Sequence, residues 1–522
     1  RLRGMFALAI WDRRSRSLIL ARDRLGKKPL YYAATNGAFV FGSEIKALLT
    51  WPEIQRRANL SAIDRYLAFG YVPTADTAFL GIHKLPAAHY LVVAADGESS
   101  FGQPDPVRYW RLPAPAAVQR RQSAEEMRRE LVARLEEAVR LRLIADVPLG
   151  AFLSGGIDSS AVVAMMARAG GGTVKTFSIG FTAKQYDETR YARMVAERYA
   201  TDHHELVVEP DAVAVLPRLI WQYGEPFADP SAIPTYYVAQ LARPEVVVAL
   251  NGDGGDECFL GYPRYRAMRY LARLDSAPDW SRAALEGLLG LAPRALQRRL
   301  KIPRIRGVLR APRGQPGRRY AAGVTLFSDN DKAEGYSGAM RDNLQRSALD
   351  LFDPYFERKK SLTVGANWAD IHIYLPDDLL VKVDVASMAH GLETRSPMLD
   401  HVFMEWAMGL PEPARLAKSL FKSAMEPYLP AELLYRPKMG FSCPIDQWLR
   451  NELKELAHGS LLSQAARERG LFRPGYVRRL LEEHCNYSRD HHTRLWALLM
   501  LELWFQMWID APAQAQILRP AA

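Results

Sequence analysis

The chain has 522 residues, 48 % of them hydrophobic and 24 % charged, with a formal net charge of +11 and three cysteines. That length predicts more than one domain. Cys258, Cys443 and Cys485 are too few and too scattered for a disulfide framework or a zinc site, so a reducing, cytoplasmic setting is expected. No apolar run reaches the roughly 18 residues that span a bilayer, so no membrane partner is expected.

Residues 1 to about 112 read as β-rich, with strands over Leu18–Ala21, Leu30–Tyr32, Phe39–Phe41 and Tyr90–Val93. Short helices are expected near Ser43–Leu49 and Ser61–Phe69. The chain enters Gly4–Trp11 as a strand already under way, so sequence upstream of Arg1 is expected to be missing. Leu112–Ala117 reads as a linker, and the segment 113–122 is assigned to it.

The pattern then changes. Ser123 to Leu143 has helical periodicity, with Ser123 as N-cap and Glu126 three residues on, a capping box. The apolar run Val147–Leu153 predicts a buried strand and Ala161–Ala167 a helix. Between them lie Ser154, Gly155, Gly156, Ile157, Asp158, Ser159 and Ser160. A strand, a small-residue loop and a helix N-terminus make an anion site, because backbone N–H groups can approach closely and the helix dipole favours negative charge. Asp158 adds a carboxylate where a magnesium ion on phosphate would be needed. The loop lacks the Gly-Lys-Ser/Thr of the Walker type. It resembles instead the loop of ATP pyrophosphatases, which cleave ATP between the α and β phosphates.

Strand 174–181, helix 189–199, strand 203–208, helix 211–223 and strand 246–250 are expected to follow. Strands alternating with helices imply a parallel sheet covered on both faces, with ligands beyond the strand C-termini. His203 and His204 read as a pair on a strand edge, since no third metal ligand stands at a useful spacing. The run Asn251-Gly252-Asp253-Gly254-Gly255-Asp256-Glu257 follows the last strand. Its carboxylates and glycines suit a cation, and Asp158 with Asp256 could grip one Mg²⁺ on pyrophosphate.

From about 262 the chain reads as mostly helical. It ends in a Trp- and Leu-rich helix, 495–509, that Glu502 and Gln506 mark as a core helix. Residues 294–319 hold ten Lys/Arg and no Asp/Glu, so they carry +10 of the +11 and the rest of the chain about +1. With its prolines and glycines this segment reads as a solvated, partly flexible insertion. Charge confined to one segment argues against nucleic acid as a partner. Lys438, in Arg436-Pro437-Lys438-Met439-Gly440-Phe441, reads in isolation as a surface cation.

Taken together, Leu153–Ser160, Gly252–Glu257, Ser387–Asp400 and Arg436–Phe441 resemble the synthetase part of the glutamine-dependent asparagine synthetase family. Gly4–Asp12, Arg22–Tyr32 and Gly42–Leu48 resemble the second half of that family's N-terminal-nucleophile glutaminase domain. The resemblance implies an α/β protein: a truncated glutaminase-type β-rich sandwich over 1–112, then an ATP-pyrophosphatase parallel-sheet domain with a helical C-terminal part over 123–510. It implies that Ser154, Gly155, Gly156, Asp158 and Ser159, with Gly252, cradle ATP, and that Ile179 lines the adenine pocket. Asp158 and Asp256 would hold Mg²⁺–pyrophosphate. Asp253 and Glu257 would act near the reacting groups, and Lys438 would neutralise the leaving pyrophosphate.

The implied reaction is adenylation of a carboxylate, aspartate first, followed by attack of ammonia and release of AMP. The implied partners are small molecules, namely the carboxylate, ATP and glutamine or ammonia, and a second copy of the chain is compatible with the family. Three positions depart from the pattern: Val385 where Arg is common, Met398 where Phe is common, and Asn251 where Ser is common. The first lies near the expected acyl-acceptor region and keeps open another carboxylate, such as a sugar uronate or a β-lactam precursor. A non-catalytic ATP-binding scaffold is the alternative from outside the enzymes. The family's nucleophilic cysteine is the first residue of the mature protein, and none of the three cysteines here can replace it, because the chemistry needs a thiol beside a free α-amino group.

Overall fold

The computed structural model describes residues 2–35, 37–94, 104–113, 122–181, 188–208, 212–275, 278–293, 309, 314–342, 346–356, 361–437 and 443–510. Two antiparallel sheets form the N-terminal part. One has β1 (Ala7–Asp12), β2 (Ser17–Arg22), β6 (His89–Ala94) and β7 (Val107–Arg108) in that order. The other has β4 (Phe39–Gly42), β3 (Tyr31–Ala34) and β5 (His83–Lys84). The expected short helices are there as Ile45–Leu48 and Leu60–Phe69.

The second part is built on a five-stranded parallel sheet, as the alternation of strands and helices predicts. Its order is β10 (Asp202–Val208), β9 (Lys175–Phe181), β8 (Leu149–Phe152), β11 (Val248–Leu250), β12 (Glu393–Arg395). From β8 the chain goes first to one side, into β9, and later to the other, into β11. The gap between β8 and β11 is therefore the switch point, where parallel sheets of this type bind ligands. Leu250 of β11 pairs with Ala151 of β8, so the loops that leave these two strands start side by side.

Strand β12 is the one strand in the mostly helical region after 262 among the described residues. Three residues at a sheet edge carry no readable alternation, and only their pairing with β11 makes them a strand. A correction concerns the basic segment. Most of it lies outside the described residues, but its last part is the helix Pro316–Val324, and Arg319 there is fully buried. That stretch is packed structure, not a solvated insertion. His203 and His204 do lie on the edge strand β10. His203 meets Thr176 Oγ1 at 2.9 Å, and the His204 ring stacks on Phe177.

One large core runs through both parts. Tyr66, Leu67 and Phe79 from the N-terminal part belong to the same buried cluster as Phe177, Ala249, Trp504 and Trp508. Helix His492–Phe505 sits inside it, as a core helix should, with Glu502 held by Arg469 at 2.5 Å. Among the described residues no helix is long and apolar enough to cross a membrane.

Candidate active site

The loop after β8 turns at Gly155, whose φ is +71°, and a Cβ there would lie 2.8 Å from the Glu188 carbonyl oxygen. Gly156 then caps helix Ile157–Ala169 without any side-chain hydrogen bond. The first turn of this helix lines an open cleft, so its orphan N–H groups and its positive dipole end are available to an anion. The Ser154 and Ser159 hydroxyls meet at 3.0 Å, and Ser159 also donates to the Gly156 carbonyl at 3.2 Å, which fixes the loop's curvature.

The acidic loop after β11 packs directly against this turn. A Cβ at Gly252 would fall 2.5 Å from the Ser159 nitrogen and 2.7 Å from the Asp158 carbonyl carbon. Backbone thus lies on backbone, and the close approach brings Asp158 and Asp256 to one shared cation. That cation is Lys418. Its Nζ contacts Asp158 Oδ2 and lies 2.8 Å from Asp256 Oδ1. Burial opposes the ammonium charge, but Asp158 and Asp256 outweigh it and raise the lysine's pKa. Lys418 reaches this position from two successive left-handed residues, Ala417 (φ +55°) and Lys418 itself (φ +61°). Their N–H groups donate to Leu260 at 3.1 Å and Phe259 at 2.9 Å.

Asp253 accepts from Asn251 Nδ2 at 2.8 Å, and burial pushes its carboxyl pKa up against the opposing charges of Lys27 and Lys382. Glu257 is 1 % exposed. Burial first, then Asp256, push its pKa up to about 7, and Tyr262 donates to it at 2.8 Å. Arg415 lies inside the core and donates to the carbonyls of Cys258 (2.7 Å) and Glu257 (3.1 Å), pinning the end of the acidic loop. On another wall Lys382 pairs with Asp229 at 2.9 Å. Arg436 donates to the Gly155 carbonyl at 2.8 Å and to Glu188 at 2.5 Å.

All of this surrounds a cleft of about 860 Å³. Ser154, Gly156, Asp158, Ser159, Ile179, Gly252, Asp253, Asp256 and Glu257 line it together, and Gly155 forms the turn behind it. Lys438 lies outside the described residues, although its neighbours Arg436 and Pro437 line the cleft. Lys418, Lys382 and Arg436, with Arg266 and Lys422 on the same cleft, are cations that reading the sequence missed. Only Arg436 carried a signal, by standing in the same motif as Lys438. Cys258 and Cys443 are buried, and burial pushes both thiols well above their ordinary pKa.

Comparison with known proteins matches two family models in chain order. A glutamine amidotransferase domain covers residues 1–110 and asparagine synthase covers residues 130–509. The chain belongs to the asparagine synthase family. It is 30 % identical over 517 residues to asparagine synthetase (glutamine-hydrolyzing) 1 of Bacillus subtilis strain 168, covering 98 % of this chain and 78 % of that one. A Mycobacterium bovis protein provisionally named asparagine synthetase (glutamine-hydrolyzing) is 34 % identical over 532 residues, covering 100 % of this chain and 79 % of its own. A Penicillium rubens protein named amidase chyE is 27 % identical over 514 residues, covering 87 % and 72 %. Family membership makes this protein an ATP-using carbon–nitrogen ligase with a glutamine amidotransferase part.

Proposed function

We propose that the protein amidates aspartate to asparagine through an acyl-adenylate formed in the cleft between β8 and β11. The observation that carries this reading is the Asp158–Lys418–Asp256 arrangement beside an uncapped helix N-terminus. The ammonium and the helix N-terminus suit phosphate oxygens, and the two carboxylates suit a cation bound to them. An oxygen of the substrate carboxylate attacks the α-phosphorus of ATP, the bond from that phosphorus to the bridging oxygen breaks, and pyrophosphate departs. Positive groups at the cleft, namely Lys418 and the helix Ile157–Ala169 dipole, stabilise that charge. Ammonia then attacks the acyl carbon and AMP leaves with the carboxylate oxygen, while the nitrogen gives up its proton. Glu257, with a pKa about 7 and in the same cleft, is placed to take a proton at that pH.

Asp158 and Asp256, carboxylates from two adjacent loops that already share one cation, are donors of the kind Mg²⁺ prefers together with phosphate oxygens, and Lys418 would yield its place between them to the ion. Asp158 and Asp256 would hold it, and it would supply further neutralisation of phosphate charge. Ile179 and Val238 on the apolar side of the cleft would take the adenine. The nitrogen source is proposed to be glutamine through the amidotransferase part, with free ammonia accepted directly.

The relative named as an amidase keeps a second carboxylate in view. The position that raised that question is Val385, and it packs against the hydrophobic core, while Lys382 one turn earlier lines the cleft. Lys382 is held there by Asp229 at 2.9 Å, and Lys422 and Arg266 also line the cleft. Exchange of labelled pyrophosphate into ATP, run with aspartate and with other acids, tests the reading. Aspartate-dependent exchange supports it. Exchange with another acid only would replace the substrate, and none with any acid would remove adenylation.

A further inference from the structure

The turn between β2 and β3 aims two lysines of the N-terminal part at the second part. Asp23 organises it by accepting from the N–H groups of Leu25 (3.1 Å), Lys27 (3.0 Å) and Lys28 (2.9 Å). Arg22 binds the turn from the other side, donating to the carbonyls of Gly26 (2.7 Å) and Lys28 (2.8 Å). Lys28 then pairs with Asp384 at 2.6 Å. Lys27 donates to Ser396 Oγ at 2.5 Å, Ser396 donates to Asn251 Oδ1 at 2.6 Å, and Asn251 donates from Nδ2 to Asp253 at 2.8 Å. Lys27, Ser396 and Asn251 are all buried, at 6 %, 3 % and 5 % exposure.

We propose that Lys27 is a positioning residue for Asp253, acting across the two parts of the chain through Ser396 and Asn251. The direction of the relay follows from what each group can do. An ammonium only donates, so Ser396 must accept from it and send its own proton elsewhere. The acceptor within reach is Asn251 Oδ1. That commits the oxygen end of the Asn251 amide to Ser396 and turns its NH₂ end toward the Asp253 carboxylate. Burial lowers the Lys27 pKa to about 8 against the pull of Asp253, so at pH 7 the group is still mainly an ammonium. Without that charge the hydroxyl is free to rotate, Asn251 Oδ1 keeps only the longer bond from the Asp253 N–H at 3.3 Å, and the amide that donates to the Asp253 carboxylate is held less firmly. The N-terminal part then contributes to the ATP cleft itself, besides any contribution to nitrogen supply.

The effect on catalysis rests on the adenylation reading, but the relay itself does not. The test uses the full chain with Lys27→Met, Ser396→Ala, the double variant and Ser396→Thr. It measures amide hydrogen exchange in 251–257 together with kcat and the KM for ATP in aspartate-dependent pyrophosphate exchange. Lys27→Met and Ser396→Ala are each expected to speed amide exchange in 251–257 and to lower kcat at least tenfold, with KM for ATP within twofold. The double variant is expected to fall no further than either single one, and Ser396→Thr, which keeps the hydroxyl, to recover most of the loss. Multiplying losses in the double variant, or Ser396→Ala with wild-type kcat and wild-type amide exchange, would overturn the proposal. If Lys27→Met does not fold, Ser396→Ala and Ser396→Thr decide. If the wild type shows no carboxylate-dependent exchange, adenylation fails and the amide-exchange arm alone decides the relay.

Discussion

Lys418 stands between two carboxylates that would otherwise repel each other in a partly enclosed site. Removing one partner of such a group leaves uncompensated charge, which costs about 3 kcal/mol or somewhat less where water still reaches the pair. Lys418→Met is therefore expected to lower the Tm and to abolish pyrophosphate exchange. Added Mg²⁺ should raise the Tm of this variant more than that of the wild type, because the ion takes over the ammonium's place between Asp158 and Asp256. Calorimetry with and without Mg²⁺ checks this, and equal shifts in both proteins would contradict it. At Gly252 the expectation is steric. A Cβ would strike backbone at 2.5 Å, where nothing can yield cheaply, so Gly252→Ala should cost about 1–3 kcal/mol and weaken ATP binding. A binding titration with wild-type affinity for ATP would refute the close packing of the two loops. None of the Lys418 geometry was legible in the sequence. Its partner Asp158 lies 260 residues away, and the two left-handed residues that aim it, Ala417 and Lys418, are types that ordinarily avoid that region.

At the scale of elements the picture reverses, because local signals decide. The capping box at Ser123 formed as expected, with Ser123 accepting from the Glu126 N–H at 3.2 Å and Glu126 accepting from the Ser123 N–H at 2.7 Å. This helix, Ala124–Arg142, buries Leu131, Leu135 and Val139 and packs against helices Ile157–Ala169 and Ser419–Met425, and Ser123 does not line the cleft. Ser123→Ala should thus cost about 1 kcal/mol of stability and leave the exchange rate unchanged. A fall in kcat would mean that the helix does more than support the sheet. The strand–loop–helix unit from β8 to Ala169 was legible for the same reason, since glycines, a helix start and an apolar strand stand within a few residues. Strand β12 was not, because three residues at an edge have no period to read. Helix Ile157–Ala169 adds a contrast: its lack of a side-chain cap leaves its N-terminus open to the cleft, whereas Ser123 closes its own.

For the whole molecule, the shared core matters most. Phe79 packs edge-on against Trp504 at 5.1 Å between ring centroids, and Tyr66 donates to the Ala497 carbonyl at 2.8 Å. These contacts make residues 1–110 part of what keeps the second part folded. Phe79→Ala should cost about 3–5 kcal/mol, and a fragment beginning at residue 123 should fail to show one cooperative unfolding transition. A fragment with a sharp transition and full exchange activity would contradict the shared core. Motif order made the two-part organisation and many of the residues that line the cleft legible. The way the parts join was not, because Lys27 and Ser396 are 369 residues apart and meet only after both parts have folded.

The central claim is that the cleft joins a carboxylate to the α-phosphorus of ATP. Aspartate labelled with ¹⁸O in its side-chain carboxylate, turned over with ammonia and ATP, tests it most directly. The account predicts one labelled oxygen in AMP and none in inorganic phosphate or pyrophosphate. Asparagine formed with the label in inorganic phosphate, or with unlabelled AMP, would contradict it.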